Sequence, residues 1–230
     1  MIHVISATRK NVEQFWNSSA LGVSIRRFNS IYSNIQYHIQ YENSTGLPKV
    51  YNSVLNKLSD KDYAVFVHDD IWIDDMFFFQ RIDDALNTFD IVGVVGCKVR
   101  EPFQINWAFS NKRKPNGRPE WMDKKHLSGT IAHGESPFGE LSYYGESGVA
   151  CKLLDGCFLV VNIGKLRSVG CLFDERFDFH YYDTDFCRSA DYLGLSIGTW
   201  PISLTHQSQG EINYESWAKN YKLYREKWNN

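Results

Sequence analysis

Three groups of side chains have the types and spacing to do chemistry. His68-Asp69-Asp70 directly follows the apolar run Tyr63–Val67. Adjacent carboxylates are costly inside a buried strand, where unpaired charge loses its water, so they must project at the strand's end. In open α/β sheets that end is where ligands bind. Hard carboxylate oxygens suit Mg²⁺ or Mn²⁺, and a site with few protein carboxylates borrows phosphate oxygens from its ligand. The competing reading is an acidic turn that caps a helix, since Asp74-Asp75 follow.

The second group is Tyr181-Tyr182-Asp183-Thr184-Asp185, with Phe186-Cys187-Arg188 behind it and Phe173-Asp174-Glu175-Arg176-Phe177 before it. If Asp185 begins a helix, its carboxylate caps that helix and Asp183 points into a cleft. A carboxylate among aromatics is partly desolvated, which tunes it as a general base. The alternative is that both acids cap the helix or pair with Arg188. The third group is His206, in Leu204-Thr205-His206-Gln207-Ser208-Gln209-Gly210. A histidine at a strand end is more often an ordinary hydrogen-bonded residue. As a neutral imidazole it is also a good ligand for Mn²⁺-class ions when a partner holds its other nitrogen.

Apolar runs predict buried strands at Ile2–Ala7, Tyr63–Val67, Ile91–Val95, Cys157–Val161 and Ile202–Leu204. Alternation predicts another at Ile35–Tyr41. Helices are expected from Pro48 to Leu58, from near Asp74 to Phe89, and over Ile163–Ser168. Strands alternating with helical patterns imply an α/β domain with a largely parallel sheet. Between Glu101 and Ala150 periodicity is weak. That stretch reads either as hairpins and mobile loops over a site or as an irregular surface insertion. Its aromatics Trp107, Trp121, Phe138, Tyr143 and Tyr144 are candidates for stacking on a flat ligand or for local core. In the tail, Tyr214, Trp217, Tyr221, Tyr224 and Trp228 recur at helical spacing over 213–228. This stripe is expected to pack on the domain, with a homodimer seam or a membrane-surface contact as alternatives.

Composition narrows the class. The 25 basic and 27 acidic residues give a net charge of −2, so no global field recruits a nucleic acid. At 230 residues the chain fits one large domain or a compact pair. Five cysteines (Cys97, Cys151, Cys157, Cys171, Cys187) without a C-x-x-C pair argue against a zinc ribbon or a disulfide framework. No apolar stretch approaches the roughly 18–20 residues needed to span a bilayer. A soluble, cytoplasmic protein is expected.

The ordered set resembles the inverting glycosyltransferases of family 2, which have the GT-A fold. That set is a strand ending in an acidic triplet, then Asp155-Gly156, then Phe-Asp-Glu-x-Phe, an Asp-x-Asp turn and a late histidine. The resemblance spans roughly Ile2 to Gly210 and is weakest between Glu101 and Ala150. It implies a single Rossmann-like α/β domain with a mostly parallel central sheet, helices on both faces and an irregular acceptor-side insertion. Residues 1–210 would be catalytic, with 1–100 the nucleotide-binding half and 101–210 the acceptor-binding half. Residues 211–230 would be a helix packed on that domain.

The resemblance also assigns roles. His68, Asp69 and Asp70 sit where the family has its D-x-D. Asp70 matches the carboxylate that contacts metal and diphosphate, while His68 stands where an acid is usual. Asp183 matches the general base, with Tyr182 in place of a preceding Glu. Asp185 matches a second, helix-starting acid that is structural or acceptor-facing, Asp155 and Gly156 fall on the acceptor side, and His206 matches a histidine that completes the metal site. Asn43 and Asn52 resemble a segment beneath the nucleotide, and Thr8 and Glu42 end strands that hold base and ribose. The implied function is transfer of a sugar from a nucleotide diphosphate, UDP being the family-weighted guess, to the hydroxyl of a sugar or glycan, with inversion and with Mn²⁺ or Mg²⁺. Lys112, Arg113, Lys114 and Arg118 then form either a lid over the diphosphate or a solvated loop. Two rivals remain open. One is a non-catalytic nucleotide- or carbohydrate-binding module on a degenerate transferase scaffold, and the other is a metal-dependent phosphoesterase.

Overall fold

The computed structural model describes residues 1–28, 31–32, 34–207 and 214–229. The chain opens with β1 (Ile2–Ala7), α1 (Val12–Ser18), α2 (Ala20–Phe28), β2 (Ile35–Gln40) and α3 (Leu47–Leu55). Next come β3 (Tyr63–Val67), β4 (Ile71–Ile73), α4 (Phe78–Leu86), β5 (Ile91–Gly93) and β6 (Val95–Cys97). The middle of the chain supplies β7 (Phe109–Arg113), β8 (Pro119–Trp121), β9 (Leu127–His133), β10 (Glu140–Gly145) and β11 (Leu153–Leu154). It closes with β12 (Phe158–Asn162), α5 (Ile163–Ser168), α6 (Tyr182–Tyr192), β13 (Ile197–Thr199), β14 (Leu204–His206) and α7 (Tyr214–Trp228).

The central sheet has the order β13-β5-β12-β3-β1-β2. β12 runs antiparallel to both of its neighbours, and every other pair in this sheet is parallel. Ala64–Val67 of β3 and Phe158–Val161 of β12 are buried without alternation. That is how strands covered on both faces read, and it explains the continuous apolar runs. The architecture is therefore α/β with a largely parallel sheet.

A second sheet, ordered β11-β6-β9-β14-β4 with β10 paired to β9, lies beside the first. The apolar run at Ile91–Val95 does not form one strand. It divides at buried Val94 into β5 of the first sheet and β6 of the second. The weakly periodic region is also more regular than its pattern suggests, since residues 127–133 and 140–145 pair as β9 and β10. Gly129 hides the first of these strands. Its φ is +97°, and an added Cβ would stand 1.9 Å from the Val94 carbonyl oxygen, so only glycine fits there. The basic residues Lys112, Arg113 and Lys114 lie on or beside the exposed β7–β8 hairpin.

α7 packs through Trp217, Tyr221 and Tyr224, whose rings meet that of Tyr181 at 5.8, 5.5 and 5.2 Å between centroids. Tyr214 of the same expected stripe is 78% exposed instead. Asn213, where the tail helix was expected to begin, and Ser208–Gly210 of the His206 segment lie outside the described residues. Among the described residues, no helix is long and apolar enough to cross a membrane.

Candidate functional site

Three segments cross from the first sheet to the second along one seam. They are residues 68–70 between β3 and β4, Val94 between β5 and β6, and residues 155–157 between β11 and β12. The backbone ties the crossings together, with His68 N–H donating to the Cys157 carbonyl at 3.0 Å and Asp155 N–H to Val95 at 3.1 Å. β14 joins the same seam. Its antiparallel register on β4 sets His206 opposite Ile71, next to Asp70.

His68, Asp70 and His206 offer ligand atoms that all lie within 4.8 Å of one another, and each residue is partly exposed. His206 Nε2 stands 3.3 Å from Asp70 Oδ2. Asp70 Oδ1 is buried and has no hydrogen-bond partner among the described residues. Burial alone would raise the Asp70 carboxyl, but His206 and His68 beside it hold it below the usual range. Burial likewise pushes His206 down, and the Asp70 carboxylate overrides it, leaving the imidazole above its ordinary value. An orphaned carboxylate oxygen beside two imidazoles fits a divalent ion of the Mn²⁺ class.

Asp183 comes to the same seam from α6. Its Oδ2 accepts from Gly156 N–H at 3.0 Å, and its Oδ1 accepts from Thr184 N–H at 2.7 Å. Burial first, and then the negative charge of Asp155, raise its carboxyl to about 6. Asp155 itself is oriented by Trp107, whose indole N–H donates at 2.6 Å, and by Cys157 N–H at 2.8 Å. The field of Asp155 reaches His68 and His206 as well as Asp183. The histidine–carboxylate cluster and Asp183 thus share one seam. Gly156 permits the approach, because an added Cβ would lie 2.5 Å from the Tyr182 hydroxyl and 2.8 Å from Asp183 Cβ.

Other expected site residues have different partners. Thr8 is buried at the end of β1 and gives its hydroxyl proton to Asp69 Oδ2 at 2.5 Å, so the two occupy each other. Asn43 caps its own turn through Thr45, and Glu42 is exposed at a positive φ of 48°. Two expectations need correction. Asn52 does not face the site: it is buried, and its amide holds the Phe173 carbonyl at 2.8 Å and the Phe173 N–H at 3.1 Å, fastening α3 to the segment before α6. Asp185 does not face an acceptor. It is fully buried, with Lys227 Nζ at 2.8 Å and Trp228 Nε1 at 2.7 Å, so its charge is spent on anchoring α7.

Two residues were undervalued by the sequence. His68 departs from the acidic pattern of the resembling family, yet it is part of the cluster; the signal is its position immediately after a buried strand. Trp107 carried no sign of its bond to Asp155. Nearby, Trp121 and Tyr144 stack at 6.0 Å with 22° between their planes, Trp121 being half exposed.

No protein-family model matches the sequence, and no curated protein matches it. Several solved structures are similar in shape. A197 from STIV shares 12% identity at a TM-score of 0.49, over 93% of this chain and 98% of that one. The catalytic domain of Drosophila β1,4-galactosyltransferase 7, solved with xylobiose, shares 11% at 0.46, over 96% of this chain and 79% of that one. The mannosyltransferase PcManGT from Pyrobaculum calidifontis, solved with GDP-Man and Mn²⁺, shares 12% at 0.46; this chain is covered over 94% but spans only 59% of that one.

Proposed function

We propose that this protein transfers a sugar from a nucleotide diphosphate to a hydroxyl acceptor, with inversion at the anomeric carbon. The observation that supports this most is the shared seam. A carboxylate of raised pKa and a cluster suited to a divalent ion lie along the same seam, and the rings of Trp107, Tyr144 and Trp121 extend from Asp155. Asp70 and His206, with His68 beside them, would hold Mn²⁺ or Mg²⁺, and such an ion supplies Lewis-acid neutralisation of a diphosphate leaving group.

The remaining chemistry belongs to the chain. Asp183 takes the proton from the attacking hydroxyl, a role that needs a carboxylate ionised at neutral pH yet basic enough to accept it; a pKa of about 6 meets both needs. Gly156 N–H and Thr184 N–H fix the carboxylate's orientation. Asp155, held by Trp107, keeps negative charge beside Asp183 and so maintains its basicity. Trp121 and Tyr144 offer a flat face for the sugar ring of a glycan acceptor. Thr8, Asp69, Glu42 and Asn43, which follow the ends of β1, β3 and β2, would lie towards base and ribose, Thr8 and Asp69 as the bonded pair described above, with UDP the nucleotide that the family resemblance implies.

The test is a panel of sugar nucleotides, each with simple sugar acceptors, followed by release of nucleoside diphosphate with and without EDTA. The expected result is release with at least one donor, suppressed by EDTA and restored by Mn²⁺. Binding across the panel without turnover would overturn the reading in favour of a binding module. Turnover of simple phosphate esters alone would replace it with a phosphoesterase.

A further inference from the structure

Two residues stand where the resembling family has acids, His68 and Tyr182, and they are 114 positions apart in the sequence. In the fold they touch: His68 Nε2 lies 2.9 Å from the Tyr182 hydroxyl oxygen. The same hydroxyl donates to the Gly156 carbonyl at 2.7 Å. A phenol has one proton, and a carbonyl oxygen can only accept. With the Tyr182 proton committed to Gly156, its oxygen is an acceptor towards His68, and the proton in that contact is carried by His68 Nε2. A histidine that ligates a metal ion does so as a neutral ring, which carries one proton. The nitrogen left bare is Nδ1.

We propose that Tyr182 is a positioning residue for the metal centre: its hydroxyl holds His68 as the Nε2–H tautomer, so that Nδ1 is free to ligate a divalent ion beside Asp70 and His206. This rests only on the metal-binding part of the proposed function. It makes the two departures one coupled feature, because a histidine ligand needs a partner for its other nitrogen. An acid at position 182 would favour a proton on that nitrogen too, but would have none to give Gly156. The resulting donor set, two nitrogens and one carboxylate, favours Mn²⁺ and later first-row ions over Mg²⁺.

Two measurements on the full chain test this without any sugar nucleotide. First, long-range ¹H–¹⁵N correlation on metal-free, ¹⁵N-histidine-labelled protein reads the tautomer directly in the wild type. A protonated Nε2 and a bare Nδ1 at His68 are expected, and the Nδ1–H form would overturn the proposal. Second, Mn²⁺ binding is followed by the electron paramagnetic resonance of the free ion, with Mg²⁺ as competitor. Tyr182→Phe is expected to weaken Mn²⁺ binding about 10- to 100-fold. His68→Ala is expected to weaken it at least as much, and the double variant no further than His68→Ala. Wild-type Mn²⁺ affinity in Tyr182→Phe, or no Mn²⁺ binding by the wild type, would overturn the proposal. Tyr182-dependent Mn²⁺ binding without turnover of any donor would count against the transferase alone, whereas Mn²⁺-dependent turnover unaffected by Tyr182→Phe would count against this inference alone.

Discussion

Gly156 gives its amide proton to Asp183 Oδ2 at 3.0 Å, and this contact joins the entry to β12 with the first turn of α6. Replacing the glycine tests whether that approach matters. In Gly156→Ala the new methyl would meet the Tyr182 hydroxyl and Asp183 Cβ at distances no real contact tolerates, so the start of α6 must shift. Overpacking of this kind costs about 1–3 kcal/mol. A lowered thermal midpoint and a fall in kcat larger than the rise in KM are expected, measured by melting and steady-state assays. A variant identical to wild type in both would mean that the contact is incidental.

Asp183→Asn keeps the shape of the side chain but removes the base. Transfer is expected to fall by about 10²–10⁴, the range proton-transfer assistance supplies. Donor affinity, read by calorimetry, should stay within a few-fold of wild type. Comparable turnover in the variant would remove Asp183 from the mechanism.

The pH profile follows from the same carboxyl. Because its pKa is raised to about 6, the ionised base is lost as pH falls through that value, so kcat/KM should rise with pH and level off above it. Asp155 contributes part of the elevation, its like charge disfavouring a second carboxylate. Asp155→Asn should therefore move the acid limb to lower pH. A limb that stays in place would show that burial alone sets it.

Stability is tested where the first turn of α6 meets α7. Lys227 Nζ contacts Asp185 at 2.8 Å and Asp174 at 2.9 Å, and the Asp185 side chain is only 1% exposed. Lys227→Met leaves that carboxylate buried without its cation, a change costing about 3–5 kcal/mol. Burial already raises the Asp185 carboxyl above its unfolded value, and Lys227 is the chief restraint on that rise. With the lysine gone, the folded pKa rises further, so the deficit should grow as pH climbs from about 4 through that value and shrink on acidification. Denaturant melts across this range check both size and sign.

The parts of the fold legible in the sequence are those where burial is uniform. β1, β3 and α5 fall where apolar runs and helical spacing place them, because both faces of those strands are covered and the pattern has no competing signal. β4 and β6 were not legible: each is three residues long, and each is separated by three residues or fewer from a strand in the other sheet, so no periodicity develops. The site divides in the same way. Of the candidate residues, Asp70 and His206 were visible as polar groups at the ends of apolar runs, and Asp183 as a carboxylate among aromatics. Asn52 and Asp185 misled because polar residues spent on internal staples have the same letters as those that meet ligands. The Tyr182–His68 contact depends on a 114-residue separation that local pattern cannot carry.

The most direct test is an anomalous difference map at the manganese edge, from crystals grown with Mn²⁺ and a nucleoside diphosphate. One strong peak within coordination distance of Asp70 and His206, with the terminal phosphate lying between that peak and Asp183, is the outcome expected here. A peak elsewhere, or a nucleotide whose phosphates are screened from Asp183 by protein, would contradict the account.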